Sequence, residues 1–387
     1  MFIIKAGFFI SKRPNMIPDF IKRYYKVFWI FVIFLLFWGL SFGHNALSIF
    51  WLLKYLPSIL LFIIVPKFFG HDELIAFNRI IFLFTVIHTM ASFIDIITSG
   101  VFIQLFTFGK PPVGIATQED LIRIIGGIFL AFYSMIIGLF YLATKQSGIK
   151  NWYLWLVVLS SWFFILNSAT RGWMLASIFL MFSFGVFNIV RNSLNMTTIF
   201  SLILLIFLVY IALPGALKQN LNSAFNRFST IASIAEGDLT VEGTAYRWNV
   251  RGPHTLTRFK ESPVVGFGYS SVTFDYYDNH VGNHSLLLTG GVIGLIIVWM
   301  TVFRIILFLF RLNGKIYESG LFVFGLTLVA IMVIHSTSRG MIGYIMSADS
   351  AFFLCLIFNH INANILHTHH LLAKYNKPEN LVADTDG

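Results

Sequence analysis

Apolar runs close to twenty residues long recur along the whole chain, with only short polar breaks between most of them. A helix needs about 20 apolar residues to cross a bilayer's hydrocarbon core, so this repetition marks a polytopic helical membrane protein. Composition agrees. Of 387 residues, 57% are hydrophobic and 11% charged, where a soluble domain has roughly 25% charged. Mean hydropathy is +0.79. The 44 Phe and 9 Trp suit lipid-facing surfaces and interfacial belts. The sole cysteine, Cys355, excludes an intramolecular disulfide. The formal charge of +10 is spread over the breaks between apolar runs. That spread points to positively charged cytoplasmic loops and away from nucleic acid.

Ten spans are expected, near 27–43, 47–65, 76–98, 121–143, 152–169, 173–190, 196–213, 285–308, 320–336 and 341–358. They divide the chain into a basic tail (1–26), spans one to seven (27–213), a hydrophilic loop with amphipathic helices (214–284), spans eight to ten (285–358) and a polar tail (359–387). An even number puts both termini on one side. Lys5, Lys12, Arg13, Lys22, Arg23 and Lys26 make that side cytoplasmic, and Lys374 and Lys377 agree. The long loop then faces out, which in a bacterial envelope is the periplasm. Histidines 360, 367, 369 and 370 are expected to be solvated in the second tail.

The candidate functional residues cluster at this outer boundary. Arg171 occupies a tight hairpin between two otherwise uncharged spans, where a charge is costly unless paired or hydrated. It holds either a lipid phosphate or a substrate. Arg339 has the same Arg-Gly hairpin setting, an echo that fits an old duplication or chance equally well. The loop opens with Leu217, Leu221, Phe225, Phe228, Ile231 and Ala235 at helical spacing, one apolar stripe. Arg247, Arg251, His254 and Arg258 then share a helical face, interrupted by Gly252 and Pro253. Guanidinium pairs suit a diphosphate, because each offers two parallel donors. Lipid head groups are the competing ligand. Pro263–Gly268 is a turn whose glycines permit close backbone approach, without the lysine of a nucleotide loop. Asp275, Asp278, His280 and His284 do not make a metal motif, since the glutamate of a zinc protease helix is missing. His284 stands where the polar loop meets the eighth span. Its imidazole titrates near neutrality, which suits a general base acting on a hydroxyl.

In order and spacing, three blocks resemble the O-antigen ligase and polymerase family of bacterial envelope glycosyltransferases. They are Ser168–Gly172, then Arg247-Trp248 leading to Pro263–Gly268, then Asn283-His284 followed by Gly290–Gly294. Ser285 and Thr289 stand where the family usually has asparagine and often an acidic residue. The resemblance implies an all-α, GT-C-like membrane fold with a large periplasmic loop, in the inner membrane. It implies transfer of a glycan from a polyprenyl diphosphate to an acceptor glycan or lipid A–core, without metal, nucleotide or other cofactor. On this chain Arg171 and Arg247 would hold the diphosphate, with Arg251 and Arg339 as further substrate contacts, and His284 would activate the acceptor hydroxyl. Membrane lipids and envelope assembly proteins are the other expected partners. The alternatives are a flippase for a lipid-linked anionic glycan and a non-catalytic scaffold.

Overall fold

The computed structural model describes residues 19–42, 70–98, 101, 115–118, 121–124, 126–145, 147–168, 170–190, 211, 213–235, 247–315, 320–345 and 347–375. They are dominated by helices. These are α1 (Asp19–Leu40), α2 (His71–Ile97), α3 (Ile128–Thr144), α4 (Asn151–Asn167), α5 (Arg171–Val190) and α6 (Gly215–Ala235). Short α7 (Gly252–Leu256) and α8 (Ser271–Tyr276) follow, then long α9 (Gly282–Lys315), α10 (Phe322–Thr337) and α11 (Ala348–Tyr375). Among the described residues, three segments, His71–Ile97, Arg171–Asn188 and Gly282–Arg311, are long and apolar enough to cross a membrane by length and composition. Lys26–Leu40, Ile128–Thr144, Asn151–Asn167 and Phe322–Thr337 are apolar but shorter.

The burial pattern of α2 explains how such a helix is stable. Asn78 (0% exposed), Thr85, Thr89, Ser92 and Asp95 (1% exposed) face inward, while Ile80 (56%), Leu83, Phe84 (57%), Ile87 and Met90 face out. A helix in water does the reverse. Apolar side chains outward and polar ones inward suit a lipid surround, because buried polar groups must then find partners within the protein. Several do. Asn78 Nδ2 donates to Tyr141 Oη (2.7 Å), Tyr133 Oη donates to Asn78 Oδ1 (2.8 Å), and His360 Nε2 lies 3.0 Å from Tyr133 Oη. Thr85 and Ser134 hydroxyls are 2.7 Å apart. Around this seam packs an aliphatic and aromatic core from α2 to α5 and from α9 to α11, including Phe132, Met135, Phe140, Val157 and Ile331.

Helix α9 breaks at Gly291 (φ 61°, ψ −165°), and the break is what docks the long loop. In a continuous helix the carbonyls of Leu288 and Thr289 would bond to Val292 and Ile293. Here Leu288 O accepts from Phe267 N (2.9 Å) and Thr289 O from Gly268 N (2.8 Å). The freed Val292 and Ile293 N–H groups donate to Pro263 O (3.0 Å) and Val264 O (3.1 Å). Residues 263–268 thus replace the helix's own ladder, which satisfies the backbone where an open break would be costly. The fit requires missing side chains. A Cβ on Gly291 would lie 2.5 Å from Val265 N, and one on Gly266 2.6 Å from Leu288 O. Helix α1 closes over the same loop, with Trp38 Nε1 donating to Gly266 O (3.0 Å) and Tyr269 N to Leu35 O (3.1 Å).

Several expectations shift. Residues 121–124 do not begin the fourth span. They pair as an antiparallel hairpin, β1 (Ile115–Gln118) with β2 (Leu121–Ile124), in register Ile115↔Ile124 and Gln118↔Leu121. The helix waits until Ile128, beyond Arg123 and the Gly126-Gly127 pair. The tenth span does not start at 341. Residues 341–345 are irregular, and α11 runs from Ala348 past the expected end at 358 to Tyr375. His360 is therefore buried in the polar seam instead of solvated, and Asn359, Asn362 and Asn364 are buried with it. His367 stacks on His71 at 4.2 Å. In α6, Leu217, Leu221 and Ala224 are buried, whereas Phe225 turns outward, so the packed stripe drifts by one position. The expected second span, most of the seventh, and Lys54 lie outside the described residues.

Candidate functional site

Two tight turns meet at one end of the bundle. Helix α4 ends at Ser168, whose hydroxyl donates back to Ile165 O (2.7 Å). Thr170 O then accepts from Trp173 N and Met174 N (3.0 Å each), so α5 starts with Arg171. Helix α10 ends at Thr337, and Ser338 N and Arg339 N both close onto Ile334 O (2.8 and 3.0 Å). The two Arg-Gly turns are in contact. A Cβ on Gly172 would lie 2.5 Å from Ser338 Cβ and 2.6 Å from Thr337 Oγ1.

Arg247 joins this corner. Its Nη1 donates to Thr337 O (3.0 Å). It opens a wide π-type turn, Arg247–Arg251, which passes directly into α7. Wide turns of this kind recur at functional sites. Gly252, buried at the junction, faces His284 on the first turn of α9. A Cβ there would lie 3.3 Å from His284 Cε1 and 3.1 Å from Arg247 O. Asn283, beside His284, donates from Nδ2 to Ser336 Oγ (3.1 Å). The turns bearing Arg171, Arg247 and His284 are thereby linked through residues 336–338 and Gly252.

Arg251, His254 and Arg258 also have protein partners. Arg251 pairs with Asp278 (3.3 Å). Arg258 is held by Glu261, with Nη2 2.6 Å from Oε2. His254 stacks on Tyr276 at 5.1 Å. The sequence spacing suggested one continuous basic face. The π-type turn and Pro253 break it, and each member finds a different neighbour. Arg339 pairs with Asp349 (2.8 Å), bonds Ser347 Oγ (3.0 Å) and lies over the Phe129 ring (5.1 Å). Its setting is that of a structural clamp.

Asp278 organises the turn before α9. Its carboxylate accepts from His280 N (2.8 Å), and its carbonyl accepts from Ser285 Oγ (2.7 Å). Burial, and then the Arg247 charge, hold the His280 imidazole below its ordinary range, with Asp278 opposing them. Sequence reasoning weighed His280 only as a metal ligand. Its place between Arg247, Arg251 and Asp278 depends on the fold. Among the described residues no three His, Cys, Asp or Glu side chains gather as a metal site. The glycines of 263–268 approach backbone closely, as expected, but the backbone is that of α9 and α1.

No protein-family model matches this chain, and no curated protein matches it.

Proposed function

We propose that this chain is a membrane glycosyltransferase that moves a glycan from a polyprenyl diphosphate to the hydroxyl of an acceptor glycan or lipid A–core. The observation that carries the reading is the linkage of Arg247 to the Arg171 turn through Thr337 O, with His284 across Gly252 from the same π-type turn. The proposed chemistry needs no redox partner. The acceptor oxygen attacks the anomeric carbon as its proton passes to His284, and the sugar–diphosphate bond breaks with inversion. The bonding electrons leave on the diphosphate oxygen. Arg171 and Arg247 stabilise the charge that grows there, and preplaced donors do so without reorganising. Arg251 and Arg339 belong to the same proposal as outer substrate contacts, reachable if substrate competes with Asp278 and Asp349. The proposal includes the finer topology, with ten spans, cytoplasmic termini, and the 214–284 loop facing the periplasm from a bacterial inner membrane.

Purified protein in nanodiscs, given polyprenyl-diphosphate-linked glycan and a core oligosaccharide, tests this. A new glycosidic bond with release of polyprenyl diphosphate is the expected product. Movement of the lipid-linked glycan between leaflets of proteoliposomes without bond formation would instead identify a flippase. Neither activity would leave a scaffold. A single-repeat lipopolysaccharide after gene deletion marks a polymerase, and unattached long chains mark a ligase.

A further inference from the structure

His335, near the end of α10, is 1% exposed. Its Nδ1 accepts two backbone N–H groups, from Met341 (3.0 Å) and Ile342 (3.2 Å). A ring nitrogen that accepts must keep its lone pair, so the imidazole is neutral and its proton sits on Nε2. That Nε2–H is buried and has no hydrogen-bond partner among the described residues. A buried unsatisfied donor is costly and rare, and calls for a physical explanation. The nitrogen reaches the first turn of α9, where a Cβ on Gly282 would lie 2.8 Å from it.

His335 also lines a small, partly open cavity, with Tyr277, Ser285, Thr289 and Gly340 among its walls. No charged side chain lines it, which argues against an ion as the ligand. Two hydroxyl oxygens there have already given away their protons, and each keeps a lone pair, with Ser285 Oγ also accepting from Asp278 N (3.3 Å). Thr289 Oγ1 donates to Ser285 O (2.8 Å) and Ser285 Oγ to Asp278 O (2.7 Å). The space there open to the centre of a water molecule is about 10 Å3, which is room for about one water.

We infer that this cavity binds one ordered water, which accepts from His335 Nε2–H and donates to the hydroxyl oxygens of Ser285 and Thr289. His335 then ties three elements together. Nδ1 holds the irregular segment after Gly340, the ring belongs to α10, and the water reaches the first turns of α9, next to His284. The inference is independent of any catalytic reading.

Solid-state NMR on the full chain in nanodiscs with 15N-labelled histidine tests it. Contacts from Nδ1 to the Met341 and Ile342 amide protons assign the ring. The expected spectrum has an unprotonated Nδ1, a protonated Nε2, and a cross-peak from the Nε2 proton to a slowly exchanging water. Thr289→Val keeps the volume and removes one acceptor, and should weaken that cross-peak at least twofold. A protonated Nδ1, or an Nε2 proton without a water contact in the unmodified protein, overturns the inference. So does an unchanged cross-peak in both Thr289→Val and Ser285→Ala.

Discussion

Replacing Gly291 by alanine tests the broken-helix architecture directly. The native φ of 61° with ψ of −165° lies in a region essentially reserved for glycine. Holding a side chain there costs about 1–3 kcal/mol. The new Cβ would also lie 2.5 Å from Val265 N, and overpacking of that kind adds about 1–3 kcal/mol. The chain can escape by straightening α9, so that Val292 and Ile293 bond to Leu288 and Thr289. Straightening expels residues 263–268 and strips Phe267, Gly268, Pro263 and Val264 of their backbone partners. Four bonds are lost and two are formed, a net loss of two at about 1 kcal/mol each, or roughly 2 kcal/mol. Straightening is therefore the cheaper route, and both routes loosen the loop. Hydrogen exchange of the 263–269 peptide should quicken by about 10–10²-fold in Gly291→Ala, with a lower unfolding temperature in detergent. Gly185→Ala is the control, since a Cβ there meets nothing within 4 Å. It should be neutral or stabilise by about 0.5–1 kcal/mol. Native protection and native melting in Gly291→Ala would refute the loop-for-ladder exchange.

Other predictions concern the polar seam, the lipid face and the charge cluster. Tyr133→Phe removes the hydroxyl that bonds Asn78 and leaves Asn78 Oδ1 without it, so thermal unfolding should report a loss of about 1–3 kcal/mol. A melt indistinguishable from the parent would remove the seam from the account. Cys355 is buried and is the chain's sole cysteine, so single cysteines placed at Leu83, Ile87 or Met90 can be spin-labelled selectively. Labels at these exposed positions should relax faster with oxygen than with a water-soluble nickel complex, and the reverse order would contradict a lipid-facing α2. His280 should titrate lower still in Asp278→Asn and higher in Arg247→Gln, because the carboxylate favours its charged form and the guanidinium opposes it. Its folded value lies below its unfolded one, so its contribution to stability is complete above the unfolded value. That contribution fades as pH falls, while the unfolded chain takes up a proton that the native ring resists. NMR titration of labelled histidine reads both shifts, and a rise in Asp278→Asn or a fall in Arg247→Gln would contradict the cluster.

Much of the helical scaffold was legible in the sequence, because apolar runs bounded by Arg-Gly or Lys-rich breaks fix where helices lie. The ends were less legible. Residues 121–124 look apolar enough to begin a span, yet β-pairing with residues 115–118 claims them. His360 and its neighbouring asparagines look like a solvated tail, since hydropathy cannot anticipate that Tyr133 and Asn78 supply partners in the interior. In the candidate site, hairpin spacing made Arg171 and Arg339 look equivalent. The Asp349 carboxylate that holds Arg339 is a partner hairpin spacing does not announce. The Gly266 and Gly268 pair announced a close backbone approach correctly. What approaches depends on a helix break at Gly291 that a Gly290-Gly291 dipeptide only hints at.

The central claim is that His284 and the two arginines perform one chemical step. It is tested most directly by single-turnover transfer with purified His284→Ala, Arg171→Ala and Arg247→Ala proteins and a saturating polyprenyl-diphosphate glycan. Losing a general base costs about 10²–10⁴-fold in rate, and losing a charge-stabilising donor about 10²–10³-fold. The account predicts losses of that size, with donor binding retained in His284→Ala and weakened in the arginine variants. Transfer at the parent rate in His284→Ala protein that folds and binds donor normally would contradict it.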